Sequence, residues 1–89
     1  MNQNSAMGGI IRGELPNQAL NYFKSKLKSN YVILNVSNVK IQIVSGIMYY
    51  FEVEILNNMN CRINRYDVII WEQAWLNPPY KLQKITLKF

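Results

Sequence analysis

The chain contains no histidine. The residue that most often serves as a general base near neutral pH, and most often ligates transition metals, is therefore missing. It has one cysteine, Cys61. That excludes an intramolecular disulfide and, without a histidine, a Cys–His nucleophile pair. Close to a strand end, Cys61 is expected to be a small buried hydrophobe. No apolar run approaches the roughly 20 residues of a membrane-spanning helix. Met1 to Met7 is polar and lacks the apolar core of a signal peptide. The chain thus fits a cytosolic protein or a secreted one whose signal peptide has been removed, the secreted mature form being slightly favoured. Acidic residues are few, five against ten basic, for a formal charge of +5. Such a balance favours solubility and some attraction to acidic surfaces, nucleic acid among them. The basic residues are scattered, however, with no consecutive run between Lys24 and Lys88. A solvated surface accounts for them better.

What is present is a single small domain. Its 89 residues are 49% hydrophobic, which argues against disorder but provides only a modest core. Met1–Ala6 is expected to be a mobile tail. It leads into Met7-Gly8-Gly9, where two glycines let the backbone lie flat against another surface. Ile10 to Glu14 reads as a short strand. Leu15-Pro16-Asn17 then marks a helix start, with Pro16 in the first turn or Asn17 as the N-cap. Ala19, Leu20, Phe23 and Leu27 fall at helical spacing and predict a helix to about Ser29. Such an amphipathic helix packs against a sheet far more often than against a membrane.

From Tyr31 the pattern is β. Val32, Leu34 and Val36 form one apolar set, but Val39, Ile41 and Ile43 form the opposite one. Strict alternation cannot absorb that change of parity, so a bulge is expected near Ser37-Asn38-Val39. Tyr49, Phe51, Val53 and Ile55 then alternate with Tyr50, Glu52 and Glu54 in the cleanest strand of the chain. The two glutamates are expected to face solvent, where they could pair with lysines across the sheet at little energetic gain, since period-two spacing on an exposed face suits solvation better than acid–base chemistry. Asn57 to Asn60 is a turn. A fourth strand runs from about Arg62 to Gln73, a loop from Ala74 to Pro79, and a fifth strand from Tyr80 to Phe89, irregular near Gln83-Lys84. One helix with four or five antiparallel strands is an α+β layout.

Between the second and third strands lies Gln42-Ile43-Val44-Ser45-Gly46. Gly46 can take the positive φ that reverses the chain. Val44 is a poor turn residue, and strain there would favour opening the loop into one long strand and a domain-swapped dimer. On local chemistry the stretch is an ordinary hairpin, or a continuous strand with Gly46 at a bulge. Gln-x-Val-x-Gly, however, resembles the first inhibitory hairpin loop of the cystatins, the inhibitors of papain-like cysteine proteases. The Gly8-Gly9 pair upstream and Trp71-Glu72-Gln73-Ala74-Trp75-Leu76 downstream stand where cystatins carry their N-terminal trunk and second hairpin loop. The resemblance spans about Met7 to Phe89.

That resemblance implies a single helix wrapped by a curved four- to five-stranded antiparallel sheet. It also implies a reversible inhibitor acting as a monomer, with no catalytic group, cofactor or metal, and with cathepsin-type papain-like proteases as partners. The implied contacts are Met7, Gly8 and Gly9 of the trunk, with Met7 in a substrate pocket and Ala6 beside it. Gln42, Ile43, Val44, Ser45 and Gly46 of the first loop and Ala74 and Trp75 of the second complete them. Trp71 is expected to support the second loop from behind. Two departures stand out: Ala74 replaces the usual proline of the second loop, and Cys61 resembles a disulfide cysteine but has no partner. Ser29-Asn30 matches the legumain-inhibiting segment of some secreted cystatins only as a dipeptide. The competing readings are a non-inhibitory scaffold of this fold, or a basic module stacking single-stranded nucleic acid on its aromatic side chains. An enzyme is a distant third, because Asp67, Glu72 and the tyrosines show no site-like spacing.

Overall fold

A computed structural model of the chain describes residues 9–89. The elements are β1 (Ile10–Arg12), α1 (Asn17–Ser25), β2 (Tyr31–Val44), β3 (Gly46–Asn57), β4 (Arg62–Glu72) and β5 (Tyr80–Lys88). The five strands form one antiparallel sheet in the order β1-β2-β3-β4-β5. The α+β layout of one helix and a five-stranded antiparallel sheet is as expected.

The core lies between α1 and the middle of the sheet. Phe23 and Ala19 of the helix are fully buried, as are Val68 and Ile70 of β4, and the alternating Tyr49, Phe51, Val53 and Ile55 of β3 are buried with them. Phe23 meets Phe51 edge-on, with ring centroids 5.6 Å apart and planes at 87°. Burying one such ring is worth about 1.5–3 kcal/mol, so Phe23 is the main anchor of the helix on the sheet. A second tie runs to β5, where the Leu82 backbone N–H donates to the Tyr22 hydroxyl at 3.1 Å.

The helix is shorter than its apolar stripe suggests. It starts after Pro16, which occupies the N-cap in extended conformation without a side-chain capping bond, and Asn17 is the first helical residue. It ends at Ser25, whose hydroxyl donates to the Tyr22 carbonyl at 2.6 Å. The following amides of Lys26 and Leu27 bond only three residues back, to Phe23 and Lys24. These tighter turns carry Leu27 onto the core without extending the α-helix.

The expected bulge in β2 is present. The pairing steps from Ser37↔Glu52 to Lys40↔Tyr50, and Asn38 takes a φ of 51°. Asparagine tolerates that conformation, and its side chain donates to the Glu52 carboxylate at 2.8 Å. A second bulge, between Ile33 and Asn35, was not foreseen. It makes Leu34 the extra residue, so that Ile33 and Val36 pack on the core while Val32 and Leu34 are exposed. The irregularity in β5 also appears, with Ile69↔Lys84 followed by Ile70↔Leu82 and Gln83 unpaired between them. Of the glutamates of β3, Glu52 pairs across the sheet with a lysine, Lys88 at 3.2 Å, as expected, whereas Glu54 pairs with an arginine, Arg65 at 3.1 Å.

Cys61 departs from expectation. It is exposed, not buried. Its amide donates to the Asn57 carbonyl at 2.8 Å, and it leaves the β3–β4 turn with a φ of 58°. A side chain on that turn has no access to the core between α1 and the sheet.

Candidate functional site

Antiparallel pairing brings the start of β1, the β2–β3 turn and the β4–β5 loop to one end of the sheet. β1 begins with Ile10 opposite Gln42, so Gly9 falls one step further along that register, next to Ile43. Gly9 is half-buried. Met7 and Gly8, with Ala6 and the rest of the expected mobile tail, lie outside the described residues.

The Gln42–Gly46 segment is less of a loop than its sequence suggests. Gln42, Ile43 and Val44 belong to β2, Gly46 opens β3, and Val44 pairs with Gly46 so that Ser45 alone forms the apex. Val44 is half-buried and its backbone is not in the left-handed region. Among the described residues only Asn38, Gly46 and Cys61 have a positive φ. The strain expected at Val44 is therefore absent, and the reversal falls on Gly46 at φ 93°. Glycine is required there for a second reason. A Cβ at position 46 would run into the Glu72 carbonyl oxygen and come within 3.1 Å of the Trp71 indole nitrogen. On the flank, Gln42 accepts a hydrogen bond from the Tyr50 hydroxyl.

Ala74 and Trp75 sit on the loop between β4 and β5. Its base is closed by the Gln73 amide, which donates to the Pro79 carbonyl at 2.6 Å, and its first turn by the Leu76 amide, which donates to Gln73. Trp75 is 60% exposed and Leu76 beside it 47%. Exposure of Trp75 was expected. Leu76 was not singled out, although an apolar residue directly after the loop tryptophan is visible in the sequence.

Beneath both turns lies the end of β4. The Trp71 indole N–H donates to the Ser45 carbonyl at 2.8 Å. The tryptophan expected to back the second loop thus bonds to the first turn. The Glu72 carboxylate accepts from the Tyr49 hydroxyl at 2.7 Å. Burial, reinforced by that bond and by the Glu72 charge, pushes the Tyr49 hydroxyl well above the usual tyrosine range. Tyr80 is raised as well, again first by burial and then by Glu72.

The resulting surface is a rim of backbone apices and apolar side chains. Among the described residues no group of three or more His, Cys, Asp or Glu could hold a metal ion. The tyrosines are mostly unavailable for stacking bases. Tyr22, Tyr31, Tyr49, Tyr66 and Tyr80 are buried or packed against the core, which leaves Tyr50. Asn30 is half-buried away from this rim, and its side chain donates to Asn57 at 3.0 Å.

The family model described as the Cystatin domain matches residues 14–88. That range takes in α1, β2 to β5 and both turns, and starts after β1. No solved structure matches the chain.

Proposed function

The chain belongs to the cystatin family, which is made up of non-enzymatic inhibitors, and from that membership we propose that it is a reversible, tight-binding inhibitor of papain-like cysteine proteases. The Met7-Gly8-Gly9 trunk, the Gln42–Gly46 turn and the Ala74-Trp75 loop enter the active-site cleft side by side. No covalent bond forms, so the inhibitor needs neither nucleophile nor general base. Affinity comes from apolar burial and from fit between rigid surfaces. Trp75 supplies a large apolar face and one N–H donor, the profile of an interface hot spot. Ile43 and Val44 supply the aliphatic contact of the first turn. The unit that binds is the monomer.

The observation that carries this reading is the common rim. A tight turn that only glycine can complete and a loop with a 60% exposed tryptophan stand at the same end of one sheet. Trp75 and the adjacent exposed Leu76 together form an apolar patch, the kind of surface that serves as a partner's seat.

Titration of papain activity tests the proposal. The parent protein is expected to inhibit stoichiometrically. A folded Gly46→Trp, Trp75→Ala double variant is expected to lose inhibition. A parent that leaves papain active at micromolar concentration, with its circular dichroism intact, refutes it.

A further inference from the structure

Trp71 and Glu72 at the end of β4, and Gln73 just after it, each hold a different part of the rim. Trp71 bonds through its indole N–H to Ser45 at the apex of the first turn. Glu72 accepts from Tyr49 on β3, and its carbonyl packs against Gly46. The Gln73 amide closes the base of the second loop on Pro79. Trp71 and Ser45 are 26 residues apart in the chain, yet the first turn and the second loop share one support.

Trp71 is not there to fill the core. In the ladder it pairs with Met48 and Lys81, in step with neither Tyr49 nor Ile70, which are buried under the helix. It is half-buried, and it does not belong to the cluster packed around Phe23. Its one directional bond goes to the carbonyl at the tip of a hairpin, a group that water could otherwise satisfy. A hydrogen bond spent on a surface carbonyl fixes where that carbonyl points.

We propose that Trp71 is a positioning residue of the inhibitory rim: its indole N–H pins Ser45, so that the first turn and the second loop meet the protease as one preformed surface. This rests on the inhibitor reading. A turn already ordered loses less conformational freedom on binding than a mobile one, and the saving appears mainly in the dissociation rate. The Trp71 ring need not touch the protease, since it acts through Ser45.

The test replaces the donor and keeps the ring, with Trp71→Phe. In a second protein, made by chemical ligation, benzothienylalanine stands at position 71 with sulfur in place of the N–H. That analogue preserves the shape should phenylalanine upset the fold. Amide hydrogen exchange is measured at Ser45, Gly46 and Ile47 in the free protein, together with association and dissociation rates on papain and the thermal midpoint. Exchange at the turn is expected to accelerate. Dissociation is expected to quicken about three- to tenfold, the range of one net hydrogen bond, with association within about twofold and a midpoint close to the parent's. Unchanged exchange overturns the proposal. So does a lowered midpoint with parental rates for the folded fraction, because a merely structural tryptophan behaves that way. A parent that does not bind papain removes the inhibitor reading alone, and the exchange measurement then decides whether Trp71 holds the turn.

Discussion

The two turns of the rim are built on opposite plans. The β2–β3 turn is minimal: strand pairing continues to Val44↔Gly46 and one residue makes the apex. Its shape is imposed from outside, by the Glu72 carbonyl against Gly46 and the Trp71 indole on Ser45. The β4–β5 loop is longer and closes on itself, through Gln73 to Pro79 and Leu76 to Gln73. It presents bulk, in Trp75 and Leu76, where the first turn presents backbone. Rigidity obtained by tertiary contact leaves the turn thin. Rigidity obtained by local bonds leaves room for a large side chain.

Substitutions can break this contrast. The largest effect is expected at Gly46. Gly46→Ala adds a methyl group against backbone at a positive φ. It should cost about 1–3 kcal/mol in urea unfolding and reduce papain inhibition at the same time. Trp75→Ala should separate the two effects. Removing an exposed hot-spot side chain is expected to weaken papain binding by about 2 kcal/mol, roughly thirtyfold. The free energy of unfolding should stay within about 0.5 kcal/mol of the parent's. Equal losses of stability in the two variants would erase the distinction. Ala74→Pro sharpens it from the other side. By stiffening the loop that relies on local bonds, it should improve affinity by up to about fivefold, in line with about 0.4–1 kcal/mol for a compatible proline, and do so without help from Trp71.

The smallest expected effect is that of pH on stability, and it separates the middle of the sheet from the rim. Glu52 sits below its ordinary value of 4.5, held there first by the Asn38 hydrogen bond and then by Lys88. A carboxylate depressed in the folded state contributes stability above its unfolded pKa and loses it as pH falls through the folded one. Melting temperature should therefore drop as pH falls below about 4.5, and Asn38→Ala should blunt the slope. Tyr49 and Tyr80 are raised, so their contribution is kept below about pH 10 and lost above it. Between these limits, stability should be nearly flat.

How much of this was legible in the sequence depends on the range of the forces involved. The β3 strand was readable because Tyr49, Phe51, Val53 and Ile55 repeat the pleat. The Asn38 and Gln83 bulges were readable because each flips the parity of an apolar set. The bulge at Leu34 was not, since leucine suits either face and the run around it keeps its alternation. The helix end was misjudged because periodicity continues through Leu27 while the backbone has already tightened at Ser25. A hydroxyl that bonds to a carbonyl three residues back competes with the helix in a way that spacing does not reveal. The rim was legible in part. The turn glycine and the exposed Trp75 could be read locally, and the resemblance supplied their grouping. The hydrogen bond from Trp71 to Ser45 could not, because it depends on which strands are neighbours and on which side of the sheet the indole emerges.

Cys61 lies on the β3–β4 turn, at the pole of the sheet opposite the rim, and is both exposed and the chain's one thiol. A maleimide dye or a gold surface attached there would be held about the length of β3 away from Ser45, roughly 12 residues at 3.3 Å each. Every tethered molecule would then stand the same way up, with Trp75 facing solution. The protein carries its own site-selective handle, and a biosensor could be built on it without changing a residue.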